Sequence, residues 1–209
     1  FTELLASKDV GRAIGFMRSH AEDALRNLEE YNVKTHKIMK RADKPIFDKK
    51  GNFIRYQKRW RIPIPYQQFI NEVALVFLYG RPVKWLQESE GTDDAFDAYK
   101  NLLKEIRFDA HVRECKRLAG AEGTAAILYH TYRDDDGKPK LLLNVLAKSK
   151  NDDIFTIRDQ YKRVMAFAWG YTLTESGGKN VYHTDIYTAS TIYRCKRITV
   201  GWEVMVMQN

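Results

Sequence analysis

The chain has 209 residues, of which 44% are hydrophobic, 12% aromatic and 30% charged, a composition that excludes a disordered or fibrous chain. Its formal charge is +8, yet the 28 residues from Lys34 to Arg61 hold eleven Lys and Arg against only Asp43 and Asp48, a local charge of +9 that leaves about minus one for the rest. The excess therefore marks one surface rather than a generally basic protein, and that surface faces nucleic acid, an acidic neighbouring subunit, or only solvent.

From Ser7 to Tyr31 the apolar residues Val10, Ile14, Met17, Ala21, Leu25 and Leu28 recur every three or four positions, the period of an amphipathic helix. Ser19 and Glu22 form a candidate capping box that divides the stretch into two helices. In the basic segment, Pro45 to Phe47 and Phe53 to Tyr56 flank Asp48-Lys-Lys-Gly-Asn52, which predicts a small hairpin. Arg61 to Pro65 is expected to be extended, because each proline restricts the residue before it, and Pro65 suits the first turn of the next helix. That helix, Tyr66 to Tyr79, carries Phe69, Ile70, Val73, Ala74, Val76, Phe77 and Leu78, a breadth that implies burial on more than one side. Gly80-Arg-Pro82 stops it, with Gly80 expected as a left-handed cap.

Thr92 is the expected N-cap of a helix from Asp93 to Ile106, whose one face is Phe96, Tyr99, Leu102, Leu103 and Ile106. Another helix, Asp109 to Leu118, is expected to end near Gly120 and Gly123. Beyond Thr124 the period changes, and Ala125 to Tyr132, Lys140 to Ala147, Val164 to Thr174, Val181 to Thr188 and Ile192 to Lys196 read as strands. Asp134 to Gly137 and Ser176 to Asn180 are hairpin turns. The fold class is thus α+β: a helical half, residues 1–122, followed by an antiparallel β meander, residues 123–209.

No apolar run approaches the roughly 20 residues that cross a bilayer, and Phe1 to Gly11 lacks a signal peptide's basic start and apolar middle. An intracellular protein without membrane contact is expected. The chain begins at Phe1 and stops after the apolar-alternating Trp202 to Met207, so both ends read as cut from something longer. Cys115 and Cys195 lack paired-ligand spacing and read as free thiols.

The phosphate loop, the dinucleotide fingerprint, HExxH, GxSxG and CxxC pairs do not occur, so no motif announces an enzyme and no cofactor is expected. The five histidines stand singly. Asp134 to Asp136 with Asp152 and Asp153 could be imagined as metal ligands of a phosphodiesterase, but the first three sit where a strand reverses and lack the alternation of a calcium loop. The candidate contact residues are Lys49, Lys50, Arg55, Lys58, Arg59 and Arg61, interleaved with Phe47, Phe53, Tyr56 and Trp60. Such a mixture can clamp phosphates while stacking bases; alternatively the aromatics pack inward and the cations are solvated.

Three stretches, in this order, carry a resemblance. They are Ile64-Pro-Tyr66 through Tyr79-Gly-Arg-Pro-Val83; Ala119-Gly-Ala-Glu-Gly-Thr-Ala-Ala-Ile-Leu-Tyr129 after a helix; and Asp134-Asp-Asp-Gly-Lys138 with Val181 to Arg194. Over roughly residues 17 to 204 the chain resembles the N-terminal, wing-side region of tailed-bacteriophage or prophage portal proteins. Leu146 to Ile157 departs from the family's pattern, and the tunnel-lining helix and clip are absent from residues 1–209. The resemblance implies a structural, non-catalytic subunit of a twelve-membered ring at the virion capsid vertex, assembled in the host cytoplasm. Its implied partners are other copies of itself, the terminase motor, head-completion or adaptor proteins, scaffold and coat proteins, and double-stranded DNA passing through the ring in packaging and ejection. The alternatives from other classes are a basic nucleic-acid-binding module using residues 34–61 and a metal-dependent phosphodiesterase.

Overall fold

The computed structural model describes residues 11, 12, 14, 15, 21–87, 93–199 and 201–208. Residues 11, 12, 14 and 15 are helical, and α1 follows at Ala21–Tyr31. The capping box at Ser19 and the N-cap at Thr92 lie outside the described residues. A 3-10 turn, Lys37–Lys40, precedes the hairpin of β1, Lys44–Phe47, and β2, Phe53–Gln57. Then come α2, Tyr66–Tyr79; α3, Asp93–Glu105; and α4, Phe108–Glu122. The strands are β3, Ala126–Arg133; β4, Pro139–Leu146; β5, Asp153–Arg158; β6, Val164–Thr174; β7, Asn180–Thr188; β8, Thr191–Ile198; and β9, Gly201–Gln208.

The architecture is α+β, with every strand pairing antiparallel, but the sheet half divides in two. β3 and β4 form a ribbon of their own, joined through the 3-10 turn Lys148–Lys150 to a five-stranded meander in the order β5-β6-β7-β8-β9. Both predicted turns close as hairpins, Gly137 N–H donating to Asp134 O at 2.9 Å and Gly178 N–H to Glu175 O at 3.0 Å. β5 was not among the predicted strands. It opens on an acid, Asp153, which is nonetheless buried because Tyr182 Oη–H donates to it at 2.7 Å and Lys148 Nζ pairs with it.

Two cores result. Ile14 packs on one face of the meander with Phe155, Ala166, Ala168, Ile186 and Cys195. Leu118 of α4 packs on the ribbon with Val145 and Ala147. Cys115 and Cys195 are both free, and burial pushes the Cys195 thiol up to about 12, so it is unreactive near neutral pH.

Three helix boundaries differ from expectation for local reasons. Gly80 is right-handed, at φ −69°, and glycine is needed there because a Cβ would stand 2.3 Å from Val76 O. Pro65 is the N-cap, one position before the first helical residue. α4 runs through Gly120 and ends at Gly123, whose φ of 89° makes the left-handed cap and lets its N–H reach Ala119 O at 2.9 Å.

The second face of the meander carries a ladder of rings: Phe167 on Tyr187, Trp169 on Tyr171, and Tyr171 stacked on His183. Asp185 is buried among them with poor partners, Tyr171 Oη at 3.5 Å and Arg194 Nε at 3.9 Å. Burial raises its pKa. A carboxyl raised in the folded state stabilises the fold fully below the unfolded carboxylate range, and that contribution is lost as pH rises through the folded value. Asp185→Asn is therefore expected to raise Tm by a few degrees at neutral pH and to make the fall in Tm towards acid steeper, because the variant lacks the stability that the parent gains on protonating Asp185. A lower neutral-pH Tm for the variant would show that the ionised carboxylate is instead held favourably.

Candidate interaction surface

The basic segment folds as the sequence predicts, and its two acids are consumed in making it do so. β1 pairs with β2 through Lys44↔Gln57, Pro45↔Tyr56, Ile46↔Arg55 and Phe47↔Phe53. In the connecting turn Asp48 Oδ1 accepts the N–H groups of Lys50 and Asn52, each at 2.8 Å, and Gly51 supplies φ 84°. The Asn52 side-chain and backbone donors hold the Asp48 carboxyl below its ordinary value. Asp43 accepts from Arg59 N–H at 3.2 Å and from Arg61 Nη2 at 2.7 Å, and its pKa is lowered chiefly by that Arg59 N–H. Arg61 Nε also donates to Arg41 O at 2.8 Å, closing the base of the hairpin.

Further cations are used to anchor the segment. Lys40 pairs with Glu29 at 2.9 Å and Lys37 with Glu30, tying the 3-10 turn back to α1. Eight cations of the segment remain: Lys34, Arg41 and Lys44, and, of the six predicted contact residues, Lys49 and Lys50 in the turn, Arg55 on β2, and Lys58 and Arg59 just beyond it. Among the described residues none of these five side chains has an acid within ion-pair distance. The six predicted residues thus share one small hairpin, but Arg61 serves the fold and the other five face outward or lie at its edge.

The expectation that the interleaved aromatics pack inward is contradicted. Phe47, Phe53 and Tyr56 contact one another, with centroids 6.1 Å and 4.8 Å apart, and remain more than half exposed; Trp60 is 91% exposed. A two-stranded ribbon of this length has no sheet or helix behind it to receive them, since a lone hairpin lacks a second layer.

The residues that sequence reasoning passed over are on α2. Its inner stripe, Asn71, Ala74, Leu75 and Tyr79, faces the chain, and the expected burial on a second side does not occur within it. Tyr66, Phe69, Ile70, Val73, Val76 and Phe77 follow the spacing i, i+3, i+4, i+7, i+10, i+11, so they form a second apolar stripe opposite the first. Phe69 is 67% exposed and Phe77 85%. Contiguous apolar patches above roughly 300–600 Å² mark interaction surfaces. Two helical phases in one segment were the signal available from sequence.

The candidate metal-ligand aspartates are separated by their hydrogen bonds. Asp134 accepts Lys138 N–H at 2.8 Å in the β3–β4 turn, whereas Asp152 accepts Trp169 Nε1–H at 2.8 Å and Asp153 is held by Tyr182 and Lys148. Among the described residues no three His, Cys, Asp or Glu side chains converge as a metal group. A cavity of about 620 Å³ lies between α1 and β5, with Asp23, Asn27, Glu122, Lys148 and Asp153 on its wall. The buried acids there already have donors.

The model of the family described as phage portal protein, SPP1 Gp6-like, matches residues 19–203. The chain belongs to that family. Among curated proteins no match is found. Portal proteins are structural components of the bacteriophage capsid and of its DNA-packaging apparatus. No described helix is long and apolar enough to cross a membrane.

Proposed function

We propose that residues 1–209 form the wing-side part of one subunit of a portal ring at the capsid vertex, through which double-stranded DNA is packaged and ejected. The ring is twelve-membered, is assembled in the host cytoplasm, and docks the terminase motor, head-completion or adaptor proteins, and scaffold and coat proteins. These residues make and break no bond. The observation that carries this reading is the surface itself: a hairpin whose Lys44, Lys49, Lys50, Arg55, Lys58 and Arg59 have no acid partner among the described residues, followed five residues after Arg61 by a helix with an exposed apolar stripe. A ring subunit requires two different faces that complement each other, because a head-to-tail contact closes when the rotation per subunit divides a full turn.

The basic hairpin is assigned to the contact with acidic positions of the adjoining subunit, among them Glu88, Glu90, Asp93 and Asp94. Ion pairs across such a rim are screened as the Debye length contracts from about 10 Å at 0.1 M salt to about 3 Å at 1 M. Ring assembly of the complete gene product should therefore weaken steadily over that range, as counted in negative-stain images. Salt-indifferent assembly removes the hairpin from the interface, and a particle that stays single at every salt concentration removes the ring.

A second reading draws support from Trp60, which stands in solvent between Arg59 and Arg61, a placement suited to stacking on a base beside a phosphate. It requires the chain itself to bind DNA tightly, with log K falling by about 0.9 per phosphate neutralised for each decade of salt. Weak binding by fluorescence anisotropy dismisses it.

A further inference from the structure

The outward stripe of α2 requires an occupant, and the distribution of charge indicates which. The stripe begins five residues after Arg61, whose bonds to Asp43 and Arg41 pin the base of the basic hairpin close to the start of α2. A parallel two-fold pairing of α2 with α2 would bring two basic hairpins together, and like charges across an interface oppose it. Charge complementarity with the hairpin favours a cover that is acidic beside its apolar contact.

The chain carries such a segment. Residues 88–97 hold Glu88, Glu90, Asp93, Asp94 and Asp97 with no Lys or Arg, a charge of −5 in ten residues. They lead into α3, where Asp94 is exposed, Asp97 pairs with Lys100 at 2.6 Å, and Tyr99 and Leu102 keep 42% and 38% of their surface open. Within the chain α3 leans on α4, and Trp85 meets only an edge of Tyr99, at 5.7 Å between ring centroids.

We infer that α3 of a second copy docks along the outward stripe of α2, its acidic N-terminal end on the basic hairpin and its Tyr99 and Leu102 against Phe69, Val73 and Phe77. The contact is heterologous: one copy offers α2 and the hairpin, the next offers α3. Helices meeting through such stripes settle with axes roughly 8–10 Å apart. The inference rests on the ring reading and adds to it the apolar contact on which the charges are arranged.

The test is sedimentation equilibrium of the 209-residue chain. Phe69→Asp with Phe77→Asp replaces two exposed rings, so folding checked by circular dichroism should be retained while self-association weakens at least about tenfold. Asp93→Lys with Asp94→Lys should weaken it as well, and adding Lys49→Glu with Lys50→Glu to that chain should restore most of the loss, because the charges then oppose again in exchanged positions. Self-association unmoved by the α2 pair, or not restored by the exchange, overturns the inference and leaves the ring reading standing. A chain that stays monomeric assigns the stripe to a different occupant and overturns the inference too. Failure of the ring reading is seen separately, as the absence of rings from images of the complete gene product.

Discussion

Glu122→Ala should lower the unfolding free energy by about 2–4 kcal/mol, although local propensity alone argues for the opposite sign. Alanine is the better helix former, and a carboxylate in the last turn of α4 opposes the helix dipole. The position is nonetheless occupied by a glutamate that is 1% exposed. The reason lies in the turn Lys148–Lys150, whose N-cap is Ala147 and offers no side-chain acceptor to the free N–H groups of its first residues. Glu122 supplies the acceptor from another element: Oε2 takes Lys148 N–H at 2.6 Å and Ser149 N–H at 3.3 Å, and Oε1 takes the Ser149 hydroxyl. Its carbonyl also accepts from Asn27 Nδ2 at 3.1 Å, so α1, α4 and the start of the meander meet at this one residue.

Truncation to alanine leaves two backbone donors and a hydroxyl unpaired, each costing roughly 1–3 kcal/mol if water cannot reach it. The adjoining cavity admits some water, which places the total below the sum. For a chain of this length the loss corresponds to a fall in Tm of roughly 4–16 °C. Glu122→Gln keeps one acceptor oxygen and the shape, and is expected to lose less than half as much. Equal melting of Glu122→Ala and the parent chain would mean that the turn is held by its other contacts, and the junction would lose its organising residue.

Much of this fold is readable from residue pattern because the pattern is set by local chemistry. The two Gly-containing hairpin turns, the basic hairpin and the periods of α2 and α3 are all determined within about fifteen residues of chain. The failures share a cause in contacts that span the sequence. β5 begins with an acid that no strand rule favours, and it is a strand because Tyr182 and Lys148 come from elsewhere to meet Asp153. Gly170 makes the first of these possible, since a Cβ there would stand 1.9 Å from Tyr182 Oη. Glu122 is likewise illegible, as its partners lie 26 and 27 residues away.

The candidate surface is the mirror case. Its charge is legible in composition, while the exposure of its aromatics depends on the absence of a second layer behind β1 and β2. The breadth of apolar residues on α2 implies two-sided burial, and a single chain supplies only one side. The unmatched side is an exposed apolar stripe that no count of hydrophobic residues separates from core.

Gly120→Ala is the second substitution with a large expected effect, and its sign again runs against propensity. Glycine inside a helix is destabilising by roughly 0.5–1 kcal/mol relative to alanine, so an α4 standing alone would gain from the change. Here α2 crosses α4 so closely that a Cβ on residue 120 would lie 1.9 Å from Asn71 Oδ1. Asn71 cannot swing away freely, being 7% exposed with Nδ2 donating to Arg117 O at 2.9 Å and to Tyr31 Oη at 3.3 Å. Overpacking of this kind costs about 1–3 kcal/mol, and displacing the amide forfeits buried hydrogen bonds worth about 1 kcal/mol each. A net loss of about 1–3 kcal/mol is expected after the propensity gain, measured by urea unfolding. The decisive measurement is the double-mutant cycle with Asn71→Ala, which removes the atom that alanine would strike. If the steric account holds, Gly120→Ala should be harmless or stabilising in the Asn71→Ala background, giving a coupling of about 1–3 kcal/mol. Additive effects would place the cost in α4 itself and leave the α2–α4 crossing without its key and slot.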